Sequence, residues 1–132
     1  MNATTGSKAA ILLLSMLATA PAVAANCDKA ISQADINTCF GKDFATADKT
    51  LNTLYQQLMK KLEPEDQKLL QNAQRSWISF RDKHCAFVSN TVSGGSIYPT
   101  IFSGCATKVT VQRSQQLRAR LYCQDGDMGC GS

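Results

Sequence analysis

The sequence predicts an all-α fold: a small, disulfide-stapled bundle of about four helices around a central antiparallel helical hairpin. Apolar residues recur at helical intervals along two long segments, a proline stands between those segments where a helix can restart, and the 132 residues include six cysteines, an even set. A chain of this length has room for one ordinary domain.

Residues 1–24 read as a cleaved secretory signal peptide. Met1 to Lys8 carries one positive charge and no acid, Ala9 to Ala20 is apolar and small, and Pro21-Ala22-Val23-Ala24 supplies an A-x-A-like cleavage site. The apolar stretch is shorter than the ~20 residues a spanning helix needs, so no membrane insertion is expected after cleavage. Residues 25–132 then form a single domain with a short cysteine-closed tail, secreted or periplasmic, where thiols are oxidised in pairs.

In the mature chain a short helix opens behind Ser32, where Ser32-Gln33-Ala34-Asp35 resembles a capping box, and ends near Gly41. A second helix, Asp43 to Leu62, places Phe44, Ala47, Leu51, Leu54, Tyr55, Leu58 and Leu62 along one stripe, with Lys60 and Lys61 suiting its C-terminal end. Pro64 restarts the chain, and Glu65 and Asp66 favour the N-terminus of a third helix. Its apolar positions are Leu70, Ala73, Trp77, Phe80, His84 and Phe87, and the turn at Glu63-Pro64 folds it back on the second as the hairpin. From Ser89 to Gly104 the composition shifts to Ser, Thr, Gly and Pro and no period survives, which reads as one long loop. A last helix runs from about Ala106 to Tyr122, with Val109, Leu117 and Leu121 inward and Lys108, Arg113, Arg118 and Arg120 mostly outward. The tail, Cys123 to Ser132, reads as a disulfide-closed turn.

Six cysteines admit many pairings, and spacing alone does not select one. Sequential pairing has the merit that Cys27 with Cys39, Cys85 with Cys105, and Cys123 with Cys130 would each close one irregular segment. Zinc sites favour close pairs such as C-x2-C, which are absent, so no metal is implied. Nor is any cofactor. The formal net charge of +4 loses one unit with Lys8, and the remaining Lys and Arg are dispersed among acids, which disfavours nucleic-acid binding.

No catalytic constellation emerges. His84 and Cys85 are helix neighbours about 100° apart, so they cannot act as base and nucleophile on each other. In a hairpin turning near residue 63, facing positions have numbers summing to about 127. Asp48 then faces Arg81 and Asn52 faces Gln74, a polar ladder that fixes helix register rather than a substrate site.

These residues assemble into a known pattern. Cys27 with Cys39, Ala47-Asp48-Lys49-Thr50-Leu51-Asn52 leading to Tyr55, the run Ala73 to Cys85 (AQRSWISFRDKHC), Gly94-Gly95-Ser96-Ile97, Cys105, and Thr110-Val111-Gln112-Arg113 followed by Leu117 resemble the LprI-type lysozyme inhibitor domain. The resemblance spans Cys27 to about Leu121. It implies a small, secreted or periplasmic helical bacterial domain whose namesake is an envelope lipoprotein that inhibits animal-type lysozyme. Two departures stand out: Asn26 occupies the place where acylation of Cys27 would need a small residue, and Cys123 and Cys130 lie beyond the matching part.

The function so implied is a binding protein that inhibits lysozyme or a related wall-active hydrolase by steric occlusion, with a protein partner and no enzymatic activity. The alternative is a non-inhibitory envelope interaction or effector-protective module. The inserting element would be Ser93, Gly94, Gly95, Ser96, Ile97 and Tyr98, with a Cys85–Cys105 bridge at its base. The net positive charge opposes association with a basic lysozyme.

Overall fold

The computed structural model describes residues 27–123, which form three α-helices, two single turns of 3-10 helix and no strand. Helix α1 spans Gln33–Met59, α2 Pro64–Ser89 and α3 Tyr98–Leu121, with the 3-10 turns at Cys27–Lys29 and Asn90–Val92. The signal-peptide segment and Cys130 lie outside the described residues. No helix among them is long and apolar enough to cross a membrane.

The capping box that opens α1 is formed in both halves. Ser32 Oγ accepts the Asp35 N–H at 3.1 Å, while the Asp35 carboxylate accepts the Ser32 N–H at 3.2 Å and its hydroxyl at 2.6 Å. Those bonds favour the charged carboxylate and hold the Asp35 pKa below its ordinary value.

Two of the expected helices are one, so the bundle has three helices rather than four. Instead of ending near Gly41, α1 continues through Asp43 to Met59. A glycine inside a helix costs only about 1 kcal/mol relative to alanine, and this one is anchored on the side before it. Cys39 is bridged to Cys27, and the Phe40 ring lies 3.4 Å from where a Cβ on Gly104 of α3 would stand.

The last helix begins at Tyr98 rather than near Ala106. Pro99 suits its first turn. Its buried face is built of Thr100, Ala106, Thr110 and Ser114 before Leu117 and Leu121 appear, so the inward stripe carries almost no hydrophobic signal. The long loop shrinks accordingly to a turn over residues 93–97.

The antiparallel hairpin is not the packing unit. Although α2 turns back from α1 at residues 60–63, the backbone of α1 packs along α3. These two helices run parallel: Gln33 Nε2 donates to Thr100 Oγ1 at 3.1 Å near one end, and Lys61 Nζ to the Leu121 carbonyl at 3.4 Å near the other. Leu51, Leu54 and Leu58 pack with Leu117 and Leu121, flanked by Tyr55, Leu62, Leu70 and Trp77. The turn itself is closed by Gln67, whose amide donates to the Met59 and Leu62 carbonyls at 3.0 and 2.9 Å.

Helix α2 shows the other departure. Of its expected inward stripe, Leu70, Trp77 and His84 are half-buried, whereas Ala73, Phe80 and Phe87 are exposed. Gln74, Arg81, Cys85 and Ser89 are the buried positions. With so little apolar surface turned inward, α2 is attached by directed contacts.

Arg81 is the chief of these. Its side chain is only 9% exposed; Nη1 reaches Asp48 Oδ1 of α1 at 3.0 Å, and Nε reaches Asp82 Oδ1 at 2.8 Å. The guanidinium also lies over the Phe44 ring (4.9 Å) and the Trp77 ring (5.3 Å). Asn52 does not meet Gln74; it donates to Asp48 Oδ2 at 3.2 Å and so steadies the carboxylate. Gln74 turns instead to α3 and accepts from Arg113 Nε at 3.1 Å. Burial lowers the Arg113 pKa from its usual high value. Half of the expected ladder therefore joins α1 to α2, and the other half joins α2 to α3.

Two predictions follow from these contacts. Arg81→Ala removes a buried charge from partners that are 40% and 49% exposed and can rehydrate. The loss is therefore about 2–3 kcal/mol, below the ~3–5 for breaking a fully buried pair, and thermal unfolding should show it as a drop of more than about 8 °C. Arg81→Lys should recover only a minor part, because an ammonium cannot span both carboxylates. At the cap, the folded pKa of Asp35 lies below the unfolded one. Its contribution is present above the unfolded value of about 3.9 and is lost as pH falls through the folded value. An NMR titration should show fraying of the first α1 turn in step with Asp35 protonation.

Candidate functional site

The segment singled out in the sequence, Ser93 to Tyr98, is a turn between α2 and α3 with Ser93, Gly94, Gly95, Ser96 and Ile97 all exposed. Its backbone is wound by short-range bonds: Ser93 N–H to Asn90 O at 3.0 Å, Gly95 N–H to Val92 O at 3.0 Å, and Tyr98 N–H to Gly95 O at 3.1 Å. Gly94 supplies the left-handed step, with φ +78°. A Cβ on Gly95 would stand 3.2 Å from the Val92 carbonyl, so both glycines serve the turn directly.

Three attachments hold this turn. At its base the Cys85–Cys105 disulfide, with Cα atoms 5.6 Å apart, ties the last turns of α2 to α3. Closing a loop of 20 residues removes chain entropy worth about 3 kcal/mol from the unfolded state. At the α3 side the Tyr98 ring stacks on Phe102 with centroids 6.1 Å apart, so Tyr98 buttresses the base and is half-buried rather than standing at the tip. From α1, Asn37 Nδ2 donates to the Ser96 carbonyl at 2.9 Å. Asn37 Oδ1 in turn accepts from Thr100 Oγ1 at 2.6 Å and from Gln33 Nε2 at 3.0 Å. The Cys27–Cys39 bridge, two residues further along α1, stiffens the same end of the bundle.

The stretch of chain that carries the turn is uncharged and partly apolar, whereas Asp35, two residues before Asn37 on α1, is charged and exposed. From His84 to Thr107 the chain carries no Lys, Arg, Asp or Glu. Phe87, Val88 and Ile97 are exposed, Phe87 at 79%. A groove of about 530 Å³ bounded by residues of all three helices is lined by Phe40 of α1, His84 and Val88 of α2, and Ile101, Lys108 and Val109 of α3. His84 is stacked on Phe80 with ring centroids 5.3 Å apart, and Cys85 is committed to its disulfide, so the pair forms no nucleophile and base. Among the described residues no group of three His, Cys, Asp or Glu side chains could hold a metal ion. Cys123 is disulfide-bonded, and Cys130, its expected partner, lies outside the described residues.

Asn37, Gln33 and Thr100 were not legible as part of this site. Asn37 and Ser96 are 59 positions apart, and nothing local to α1 signals a partner on another element.

Comparison with known proteins places this geometry in context. A family model described as lysozyme inhibitor LprI matches residues 24–117. An uncharacterized protein of Rhizobium meliloti (strain 1021) is 34% identical over 124 residues, covering 81% of this chain and 89% of that protein. No solved structure matches.

The left-handed step makes Gly94 the residue of the turn least tolerant of a side chain. Nothing lies within 4 Å of a Cβ built there, so the cost of Gly94→Ala is conformational, about 1 kcal/mol. Thermal denaturation should register a decrease of about 4–8 °C, and an unchanged melting temperature would show that the turn relaxes freely.

Proposed function

The chain belongs to the LprI lysozyme-inhibitor family, and on that premise we propose that it is a secreted or periplasmic binding protein that inhibits lysozyme or a related cell-wall hydrolase by steric occlusion. The observation that carries this reading is the exposed Ser93–Ile97 turn, held at its base by a disulfide and from α1 by Asn37. A turn already fixed in one shape loses little conformational entropy on docking, which is how a small contact gains affinity.

Occlusion fits the chemistry at hand. A narrow convex turn of small residues can enter a concave cleft, the usual form of a hydrolase active site. The Ser93 and Ser96 hydroxyls can donate to the carboxylates that glycoside hydrolysis requires, and Ile97 and Phe87 supply apolar contact beside them. No bond is made or broken, so no cofactor is needed.

Charge is handled by position. The whole chain has a net charge of +4 and would be repelled by a basic enzyme at long range. The turn and its flanks hold no formal charge between Lys83 and Lys108, so the contacting segment itself sets no like charge against the enzyme. Such a contact forms without electrostatic steering, and added salt, by screening the long-range repulsion, favours it rather than weakening it. The same net charge favours the second reading, a non-inhibitory envelope module protecting or docking another protein, which would co-purify with a partner and leave lysozyme untouched.

Turbidity assays with oxidised mature protein, against animal-type and goose-type lysozymes at several salt concentrations, test the proposal. Inhibition at micromolar protein that does not weaken as salt is raised is expected, and deleting Gly94 to Ile97 should abolish it. Absence of inhibition of both enzymes would overturn the inhibitory reading; full inhibition by the deletion variant would remove the turn from the mechanism.

A further inference from the structure

The three side chains that meet the turn from outside it form a closed arrangement. Asn37 has one amide oxygen and one amide nitrogen to place. Thr100 Oγ1 lies 2.6 Å and Gln33 Nε2 3.0 Å from the oxygen, and both groups can donate. Gln33 Nε2 also lies 3.1 Å from Thr100 Oγ1, so the hydroxyl accepts there while donating to Asn37. With its oxygen engaged by two donors, the amide must turn its nitrogen toward the Ser96 carbonyl, 2.9 Å away. The reverse orientation would set oxygen against oxygen at Ser96 and nitrogen against the Gln33 amide. Thr100 is buried and Asn37 half-buried, whereas Ser96 is exposed. The network thus runs from a rigid helix interface outward to one carbonyl of the turn.

We propose that Asn37 is a positioning residue for partner binding: through its amide N–H it holds the Ser96 carbonyl, and with it the Ser93–Ile97 turn, in the shape presented to the partner. This rests on the reading of that turn as the docking element. The turn's other backbone bonds are local to residues 90–101, and the disulfide acts at its base, so neither fixes where the tip stands relative to α1. The bond from Asn37 crosses 59 positions and does so. Losing it returns an exposed carbonyl to water, a small penalty for global stability but a direct one for local order.

The role of the donor can be isolated. Asn37→Asp keeps an oxygen for Thr100 and Gln33 but offers no donor to Ser96, while Asn37→Ala removes both functions. Gln33→Ala leaves the Asn37 to Ser96 bond in place and serves as the control. In the mature oxidised protein, backbone 15N order parameters of Gly94 to Ile97 should fall in both Asn37 variants and stay as wild type in Gln33→Ala, with melting temperatures little changed. Inhibition of animal-type lysozyme should weaken by about fivefold or more in the Asn37 variants, the loss expected for one hydrogen bond. Unchanged order parameters in Asn37→Asp would overturn the proposal, as would disordered turn residues with undiminished inhibition. A wild-type protein that inhibits nothing would instead overturn the inhibitory reading, and the order parameters would still decide whether Asn37 holds the turn.

Discussion

The architecture depends on the buried guanidinium of Arg81. Helix α2 turns a mainly polar face inward, so the hydrophobic effect that binds α1 to α3 through Leu51, Leu54, Leu58, Leu117 and Leu121 has little to act on there. Arg81 takes its place by reaching carboxylates on two helices and lying against two aromatic rings. A buried charge is tolerable only when its hydrogen bonds are met, which restricts α2 to the register where Arg81, with Asp82 beside it on the same helix, falls within reach of Asp48 on α1. Directional bonds thus set the position of α2 where apolar packing would allow it to slide.

That register has consequences at the far end of the bundle. Once α2 is aligned, Cys85 lies opposite Cys105 and the chain beyond Ser89 must cross to α3 in a few residues. The crossing is the glycine turn. It is wound locally by Gly94 and Gly95 and located globally by Asn37 on α1, a helix that contributes nothing to its sequence neighbourhood. The site therefore draws on all three helices, which is why a small domain can present a short turn without leaving it free.

Family membership and physical reading meet at the charge distribution. A net positive chain is a poor electrostatic match for a basic enzyme, but net charge governs the long-range encounter, whereas contact is governed by the groups at the interface. The uncharged stretch from His84 to Thr107 separates these two effects. In the contact proposed above, recognition would rest on shape and small hydroxyl groups rather than on charge.

The capping box, the leucine stripe of α1, the restart at Pro64, the Asp48 to Arg81 pair and an irregular connection centred on Gly94-Gly95 were all legible in the residues, because each depends on local spacing, local composition or helix periodicity. The continuity of α1 through Gly41 was not, since the anchoring that offsets a mid-helix glycine comes from Cys27 and from Gly104 on another helix. Nor was the early start of α3, whose inward face of Thr, Ser and Ala carries no hydrophobic period. The partner of α1 was decided by tertiary structure as well: the sequence pairs it with α2 through a short turn, but those small residues let α3 approach more closely and take the place. The residues alone indicated a disulfide-bonded helical chain with a glycine-bearing loop before its last helix. Only the packing of α3 against α1, by bringing Asn37 beside Ser96, decided where that turn stands.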